Sequence, residues 1–429
     1  MMEKPLERAI IVGLHLNQRL QADFDYSMQE LASLADACHI TVVDQLTQKA
    51  QRVTSSHYLG TGKVEELRLL AEAHEAETVI FNDELSPSQI RNLEAELDRK
   101  VIDRTILILD IFAERAQTRE AQLQVEVARL QYMLPRLVGL RASLGRQGGG
   151  GGAGLRNKGT GETKLELDRR RIEERISMLQ QELEKLVATR QTQRMKRKKN
   201  EVPVVCLVGY TNTGKSSLMN ALLRHTDPET SKEVFVKDML FATLETSVRQ
   251  IELSDNKSFL LTDTVGFVSQ LPHHLVKAFR STLEEVAEAD LLIHVVDYAH
   301  EDYQKLIDVT NATLEDLGTK GIEMIYAYNK CDLTDHPYPE VQGKSIYMSV
   351  REAKGIDELI GCIRQQLFSH YVKCSVLIPY DQGRIVSYFN EHAQIFATEY
   401  EEQGTRIEME CSSADYDRYK EFYLEEAQL

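Results

Sequence analysis

Over residues 1–104, short apolar runs alternate with stretches whose apolar positions recur every three to four residues. Residues 9–16, 40–46 and 78–81 are predicted strands, with a further short strand near Val101, and residues 26–37, 62–75 and 87–97 are predicted helices. Such alternation predicts a small parallel or mixed α/β domain over residues 1–104. From about Asp103 the period becomes that of long helix. Leu123, Val127, Leu130, Leu134 and Leu137 step by 4, 3, 4 and 3, and after a glycine tract Ile172, Ile176, Leu179, Leu183 and Leu186 repeat the same steps. Two equal stripes joined by a flexible loop predict an antiparallel helical hairpin over residues 105–200. Pro135 is expected to kink or end the first helix before Leu137.

Residues 201–369 carry fully apolar runs at 204–208, 259–261, 291–296, 324–328 and 346–348, separated by helical stretches. Short runs apolar on both faces mark the buried strands of a doubly wound parallel sheet. Residues 370–429 read as a small C-terminal α/β domain, with strands at 376–378 and 406–409 and helices at 385–396 and 414–425.

The chemistry lies on the third segment. Gly209-Tyr210-Thr211-Asn212-Thr213-Gly214-Lys215-Ser216 follows the predicted strand VVCLV and fits the phosphate-loop pattern, with Ser217 next in line. Its glycines let backbone N–H groups close around a β-phosphate at the start of a helix. Lys215 would supply a cation to the β- and γ-phosphates, and Ser216 a hydroxyl to Mg²⁺. Gly60-Thr61-Gly62-Lys63 is no second such loop, because His57 replaces the leading glycine and Val64 the metal-binding hydroxyl; it reads as a turn and helix start.

Three further elements follow in the order a GTPase needs. Asp263-Thr264-Val265-Gly266 ends a strand; Asp263 is expected to hold Mg²⁺ through water, and the Gly266 amide to donate to the γ-phosphate. Asn329-Lys330-Cys331-Asp332 ends the next-but-one strand. The Asp332 carboxylate matches two N–H donors on the Watson–Crick edge of guanine, which adenine does not offer, and such a bidentate site rejects the wrong base by about 10⁴-fold or more. The Lys330 stem is expected over the base plane, and Asn329 is expected to tie this loop to the phosphate loop. Ser349-Val350-Arg351, after the last strand, offers a backbone amide to the guanine oxygen. Between the phosphate loop and Asp263, Phe241-Ala242-Thr243-Leu244-Glu245 offers Thr243 to Mg²⁺ and the γ-phosphate, with Thr246 as rival. Lys215, Thr243 and Gly266 are thus the candidate catalytic groups, and Ser216, Thr243 and Asp263 the candidate metal ligands. Phe267 follows Gly266 where many GTPases carry a water-orienting glutamine, so slow intrinsic hydrolysis is expected, with a partner completing the site.

Composition narrows the setting. The chain of 429 residues is 42% hydrophobic and 28% charged, which suits a multi-domain globular protein. No apolar run reaches the roughly 18 residues of a membrane span, and the first residues lack the build of a signal peptide. Six scattered cysteines without a CxxC pair read as reduced thiols, so a cytoplasmic setting is expected. The net charge of −16 is unevenly spread: residues 136–200 hold 17 Lys and Arg against 7 Asp and Glu, a net +10, leaving −26 elsewhere. Residues 145–161 hold nine glycines, and no acid occurs from Leu137 to Gly161. With Arg141, Arg146, Arg156 and Lys158 around the tract and Arg169–Arg171 beyond it, an RNA-binding tip is expected, since phosphates reward clustered basic groups.

These residues resemble a known family, the HflX-type GTPases of the Obg–HflX group. Tyr58–Lys63, Phe81–Pro87, Asp103–Thr105 through Leu109–Ala113, Gln124–Glu126, the glycine tract and Gly161–Glu166 resemble its N-terminal part. GYTNTGKSSL, LFATLE, DTVGFVSQLP and FRSTLEEV resemble its GTPase domain. The resemblance implies Thr243 over Thr246 as the switch threonine, with Mg²⁺ and GTP or GDP in the site. It implies a protein that binds the large ribosomal subunit, brings its glycine loop near the peptidyl-transferase region and acts on stalled or idle ribosomes, including splitting them. The free protein is expected to be a monomer. Two positions depart from the family pattern: Thr160 stands where proline is usual, and Val350 where alanine is usual. The expected fold class is α/β, a P-loop GTPase domain (201–369) preceded by a small α/β domain (1–104) and an antiparallel hairpin (105–200), and followed by a small α/β domain (370–429).

Overall fold

A computed structural model of the chain describes residues 7–17, 20–142, 158–199, 202–226, 241, 246–253, 255–268, 285–319 and 321–423, with side chains outside that description at 137–142, 158–166 and 189–199. The chain divides into two compact units, one built on Met1–Arg194, to which Phe241 also belongs.

In this first unit, β1 (Glu7–Leu16), β2 (Ile40–Ala50), β3 (Thr78–Phe81) and β4 (Lys100–Asp103) form an all-parallel sheet in the order β2-β1-β3-β4. Helices α1 (Gln21–Ala37), α2 (Thr61–Ala73) and α3 (Pro87–Leu97) connect the strands. The Ser86-Pro87-Ser88-Gln89 sequence explains the start of α3: Ser86 and Gln89 form a reciprocal capping box and Pro87 fits the first turn. The Gly60–Lys63 stretch is, as expected, a helix start. Gly60 is the N-cap of α2, and Lys63 Nζ pairs with Glu66 at 2.8 Å.

The helical run expected from Asp103 is interrupted. The Asp103 carboxylate caps α4 (Arg104–Arg115) by accepting from the Ile106 N–H, and the helix stops at Ala116. Helix α4 is buried through Leu107, Ile108, Leu109, Ile111 and Phe112, too many apolar residues for one seam of a hairpin. The next helix, α5 (Arg119–Ala142), runs through Pro135 rather than ending there. It is tied to the sheet at Asp103, whose carboxylate also accepts from the Leu85 N–H, the Tyr132 hydroxyl and Arg136. The Arg136 guanidinium lies 3.3 Å from the centre of the Tyr132 ring. Burial and the neighbouring Asp103 charge both push the Tyr132 hydroxyl pKa upward, so it remains a donor.

Helix α6 (Lys158–Lys199) packs against α5 along the predicted stripes. Leu123, Val127, Ile176 and Leu179 are buried, with Leu130, Leu134, Ile172, Leu183 and Leu186 against them; Leu137 lies outside the described side chains. Arg119 bonds Glu182 and Arg175 bonds Glu126, so partner numbers fall along one helix as they rise along the other, an antiparallel pair. Residues 143–157, most of the glycine tract, lie outside the description; Gly159 and Gly161 fall in the first turn of α6.

The second unit holds two sheets. Seven strands lie in the order β10-β11-β9-β8-β5-β7-β6: β5 (Val204–Val208), β6 (Ser247–Glu252), β7 (Ser258–Asp263), β8 (Leu291–Asp297), β9 (Glu323–Asn329), β10 (Glu340–Gln342) and β11 (Ser345–Tyr347). The five strands predicted from apolar runs are the parallel interior, with Met348 just beyond β11. The antiparallel edges β6 and β10 were not predicted, because half-exposed edge strands such as SVRQIE carry no continuous apolar run. Among the described residues, helices α7 (Lys215–Thr226), α8 (Tyr303–Asp316) and α9 (Ile356–Leu367) pack on this sheet.

The other sheet, β12 (Val372–Ile378), β13 (Gln394–Glu401) and β14 (Gly404–Cys411), is antiparallel in the order β12-β14-β13. The helix expected over 385–396 is corrected at its end: α10 (Gly383–His392) stops at an extended Ala393, and Gln394 begins β13. Ile, Phe, Thr and Tyr favour the strand, and β14 supplies its hydrogen-bond partners. The helix expected over 414–425 is shorter too, α11 (Ser413–Arg418) followed by a 3₁₀ turn. The Asn256 side chain donates to the carbonyls of Asn390 and Ala393, and Lys257 bonds Glu410 at 2.6 Å, joining the two sheets of this unit. Among the described residues no helix is long and apolar enough to cross a membrane.

Candidate nucleotide site

In a parallel sheet the loops after the strands gather at one edge, and β5, β7, β9 and β11 deliver candidate residues there. Strand β5 is followed by Gly209, which has φ +143° and where a Cβ would stand 2.3 Å from the Val295 carbonyl oxygen of β8; only glycine fits. Gly214 has φ +97°, and a Cβ there would come within 2.5 Å of Asn329 Nδ2. The loop between them therefore opens α7 with Lys215 and Ser216 in its first turn.

Lys215 is buried, and its ammonium donates to the carbonyls of Gly209 (3.1 Å) and Tyr210 (2.5 Å). Burial pulls its pKa down to about 8 and the Asp263 carboxylate opposes that fall, so the cation sits where added negative charge would be favoured. Ser216 Oγ donates to Asp263 Oδ2 at 2.6 Å. A hydroxyl and a carboxylate brought together are hard oxygen donors suited to Mg²⁺, so the residues present fit that ion. Thr264 Oγ1 donates to the Leu207 carbonyl at 2.6 Å, and Val265 is buried, which steadies the turn carrying Gly266.

The turn after β7 also meets the phosphate loop directly. The Phe267 N–H donates to the Gly209 carbonyl at 3.1 Å, and the Thr211 N–H donates to the Phe267 carbonyl at 2.8 Å. A Cβ on Gly266 would lie 2.8 Å from Thr211 Cα and 3.0 Å from Lys215 Nζ. Thr213 Oγ1 closes on the Tyr210 carbonyl, while Asn212 stays exposed with φ +60° and Ser217 is half-buried on α7.

At the other end, Asn329 holds two loops together: Nδ2 donates to the Thr213 carbonyl (2.9 Å) and Oδ1 accepts from the Val350 N–H (3.0 Å). Asp332 sits in a 3₁₀ turn, where Ser349 Oγ donates to its Oδ1 at 2.6 Å, and Ser349 itself is fully buried. Cys331 is buried, its N–H bonded to the Met348 carbonyl, and Arg351 is exposed. Val350 takes part through its backbone, so the alanine-to-valine departure leaves this contact intact.

Ala242, Thr243, Leu244 and Glu245 lie outside the described residues. Phe241 is buried in the first unit, edge-on to Phe112 of α4 with ring centres 4.7 Å apart. Sequence reasoning passed over Asp297, whose Oδ2 is 2.6 Å from Lys330 Nζ. Its signal was an acid ending the apolar run of β8 at the edge where the loops gather.

Family models described as GTP-binding GTPase N-terminal, GTP-binding GTPase Middle Region and 50S ribosome-binding GTPase match residues 25–113, 115–197 and 204–330. The chain is 43% identical to the GTPase HflX of Caldanaerobacter subterraneus subsp. tengcongensis over 418 residues, 97% of this chain and 94% of the relative. It is 43% identical to the GTPase HflX of Alkalihalophilus pseudofirmus over 430 residues, 99% of each. A solved GTP-binding protein of Sulfolobus solfataricus in complex with GDP is similar at 22% identity and a TM-score of 0.44, covering 85% of this chain and 99% of that one. Identity of 43% along nearly the whole length, together with the three family models, places this chain in the HflX family of GTPases, enzymes that hydrolyse GTP.

Proposed function

We propose that this GTPase binds the large ribosomal subunit and uses GTP binding and hydrolysis to act on stalled or idle ribosomes, including splitting them into subunits. The observation that carries this reading is the segregation of charge: residues 136–200 are net +10 in a chain of −16, with Arg169, Arg171 and Arg175 half or more exposed on α6. The match of residues 204–330 to a family described as ribosome-binding GTPases supports it. In this reading the glycine tract meets ribosomal RNA near the peptidyl-transferase region, and the free protein is a cytoplasmic monomer.

Within the same proposal, residues 209–217 cradle the phosphates and Lys215 neutralises them. Ser216 and Thr243 ligate Mg²⁺ and Asp263 does so through water. Gly266 senses the γ-phosphate, Asp332 reads the guanine edge, Lys330 covers the base, and the 349–351 loop offers its backbone to the guanine oxygen. Phe267 has no group to orient water, so turnover alone is slow, and large subunits raise it by about 10³–10⁵-fold, the range of partner-supplied elements.

A second reading has its own support. Arg169, Arg171 and Arg175 are paired with Glu173, Asp168 and Glu126, as a solvated helical pair recruiting a protein partner would have them. Sedimentation of the GTP-analogue form with purified subunits decides between the two, and light scattering of whole ribosomes tests splitting. Absence of co-sedimentation and equal GTPase rates with and without large subunits would refute the ribosomal reading.

A further inference from the structure

We propose that Asp297 is a positioning residue for nucleotide binding, pinning the Lys330 ammonium so that the lysine stem stands as a fixed rib against the face of the base. The inference rests on the reading of Lys330 as the lysine that covers the base.

Strands β8 and β9 run parallel, and Asp297 pairs in register with Asn329, so both end at the edge where the nucleotide loops gather. The Tyr298 N–H donates to the Asn329 carbonyl at 2.9 Å, locking the two strand ends together. Lys330 comes next, with φ +65°, a left-handed backbone that a lysine adopts only where its surroundings impose it. From there its ammonium meets Asp297 Oδ2 at 2.6 Å, while Asp297 Oδ1 accepts from the Ala299 N–H at 3.2 Å. One carboxylate oxygen is thus anchored to backbone and the other held towards the lysine. The side chains are 28% and 20% exposed, so water competes with the pair only in part.

A free lysine stem samples many rotamers, and ordering it against a ligand opposes binding. With the ammonium held by Asp297, that ordering is complete before the base arrives. Asp332 reads the edge of the base, whereas this pair would act on its face, so the contribution does not depend on the exocyclic 2-amino group.

The test is calorimetric binding of GDP and inosine diphosphate to the full chain, to Asp297→Asn, to Lys330→Met (which keeps an unbranched stem without the charge) and to the double variant. Each single variant should bind GDP about tenfold more weakly, the worth of one charge-assisted bond. Inosine diphosphate should lose the same factor. The double variant should be no worse than the weaker-binding single, because both act through one contact. Losses that multiply, a loss confined to GDP, or Asp297→Asn binding like wild type would overturn the proposal. Should Asp297→Asn fail to fold, Lys330→Met decides alone: about a tenfold loss for both nucleotides supports the pinned rib, and no loss refutes it. Asp332→Asn run alongside separates this failure from failure of the base pocket itself, which would leave GDP preference unchanged in that variant.

Discussion

Asn329, at the end of β9, donates through Nδ2 to the carbonyl oxygen of Thr213 in the phosphate loop at 2.9 Å. Its other side-chain atom accepts from the Val350 N–H, so one buried amide braces three loops. Asn329→Ala leaves that carbonyl and that N–H without their partner, and should cost about 1–3 kcal/mol in GDP affinity or thermal stability. Asn329→Asp keeps the acceptor for Val350 but sets a carboxylate against the Thr213 carbonyl, and should bind GDP no better than the alanine variant. Calorimetry with GDP and thermal unfolding read both; wild-type binding by both variants would show that the brace is idle.

Base choice should follow Asp332, whose Oδ1 is fixed by the Ser349 hydroxyl at 2.6 Å. Asp332→Asn turns an acceptor into a donor, which opposes the guanine N–H but suits the carbonyl of xanthine. Preference should therefore move from GDP towards XDP, measured by competition among GDP, XDP and ADP. Ser349→Ala removes only the brace and should weaken GDP binding by about 1 kcal/mol without a change in preference.

Gly266→Ala should separate the triphosphate from the diphosphate. The added methyl would lie 2.8 Å from Thr211 Cα and 3.0 Å from Lys215 Nζ, beside the groups that would hold the terminal phosphate. GTP-analogue affinity and turnover should fall sharply while GDP binding falls less. Titration with both nucleotides is the check, and equal losses would mean a general collapse of the loop.

The first unit should depend on Glu30. Its carboxylate bonds Arg104 in a fully enclosed pair, and Arg104 also donates to Asn82 Oδ1 at 3.1 Å. Glu30→Ala removes one carboxylate from a buried ion pair, a change that costs about 3–5 kcal/mol where such a pair is broken. A clear drop in the melting temperature is expected, and a loss well under 1 kcal/mol would show that other groups carry the charge.

What the sequence determined by itself was local and periodic. The apolar runs at 204–208, 291–296 and 324–328 became interior strands, because burial on both faces permits only such runs. The 4-3-4-3 stripes through Leu123 and Ile176 became the seam between α5 and α6. The phosphate-loop glycines were legible because their backbone demands leave few other residues possible. Tertiary structure alone decided the rest. Strands β6 and β10 exist because a neighbouring edge offers hydrogen bonds, and their own residues carry too little apolar pattern to reveal it. Phe112 joins a buried helix rather than the hairpin, since any apolar face serves whichever surface the chain brings to it. Asp297 meets Lys330 across 33 residues only because two parallel strands end in register. Spacing along the chain carries no trace of such a pairing, which arises when the sheet closes.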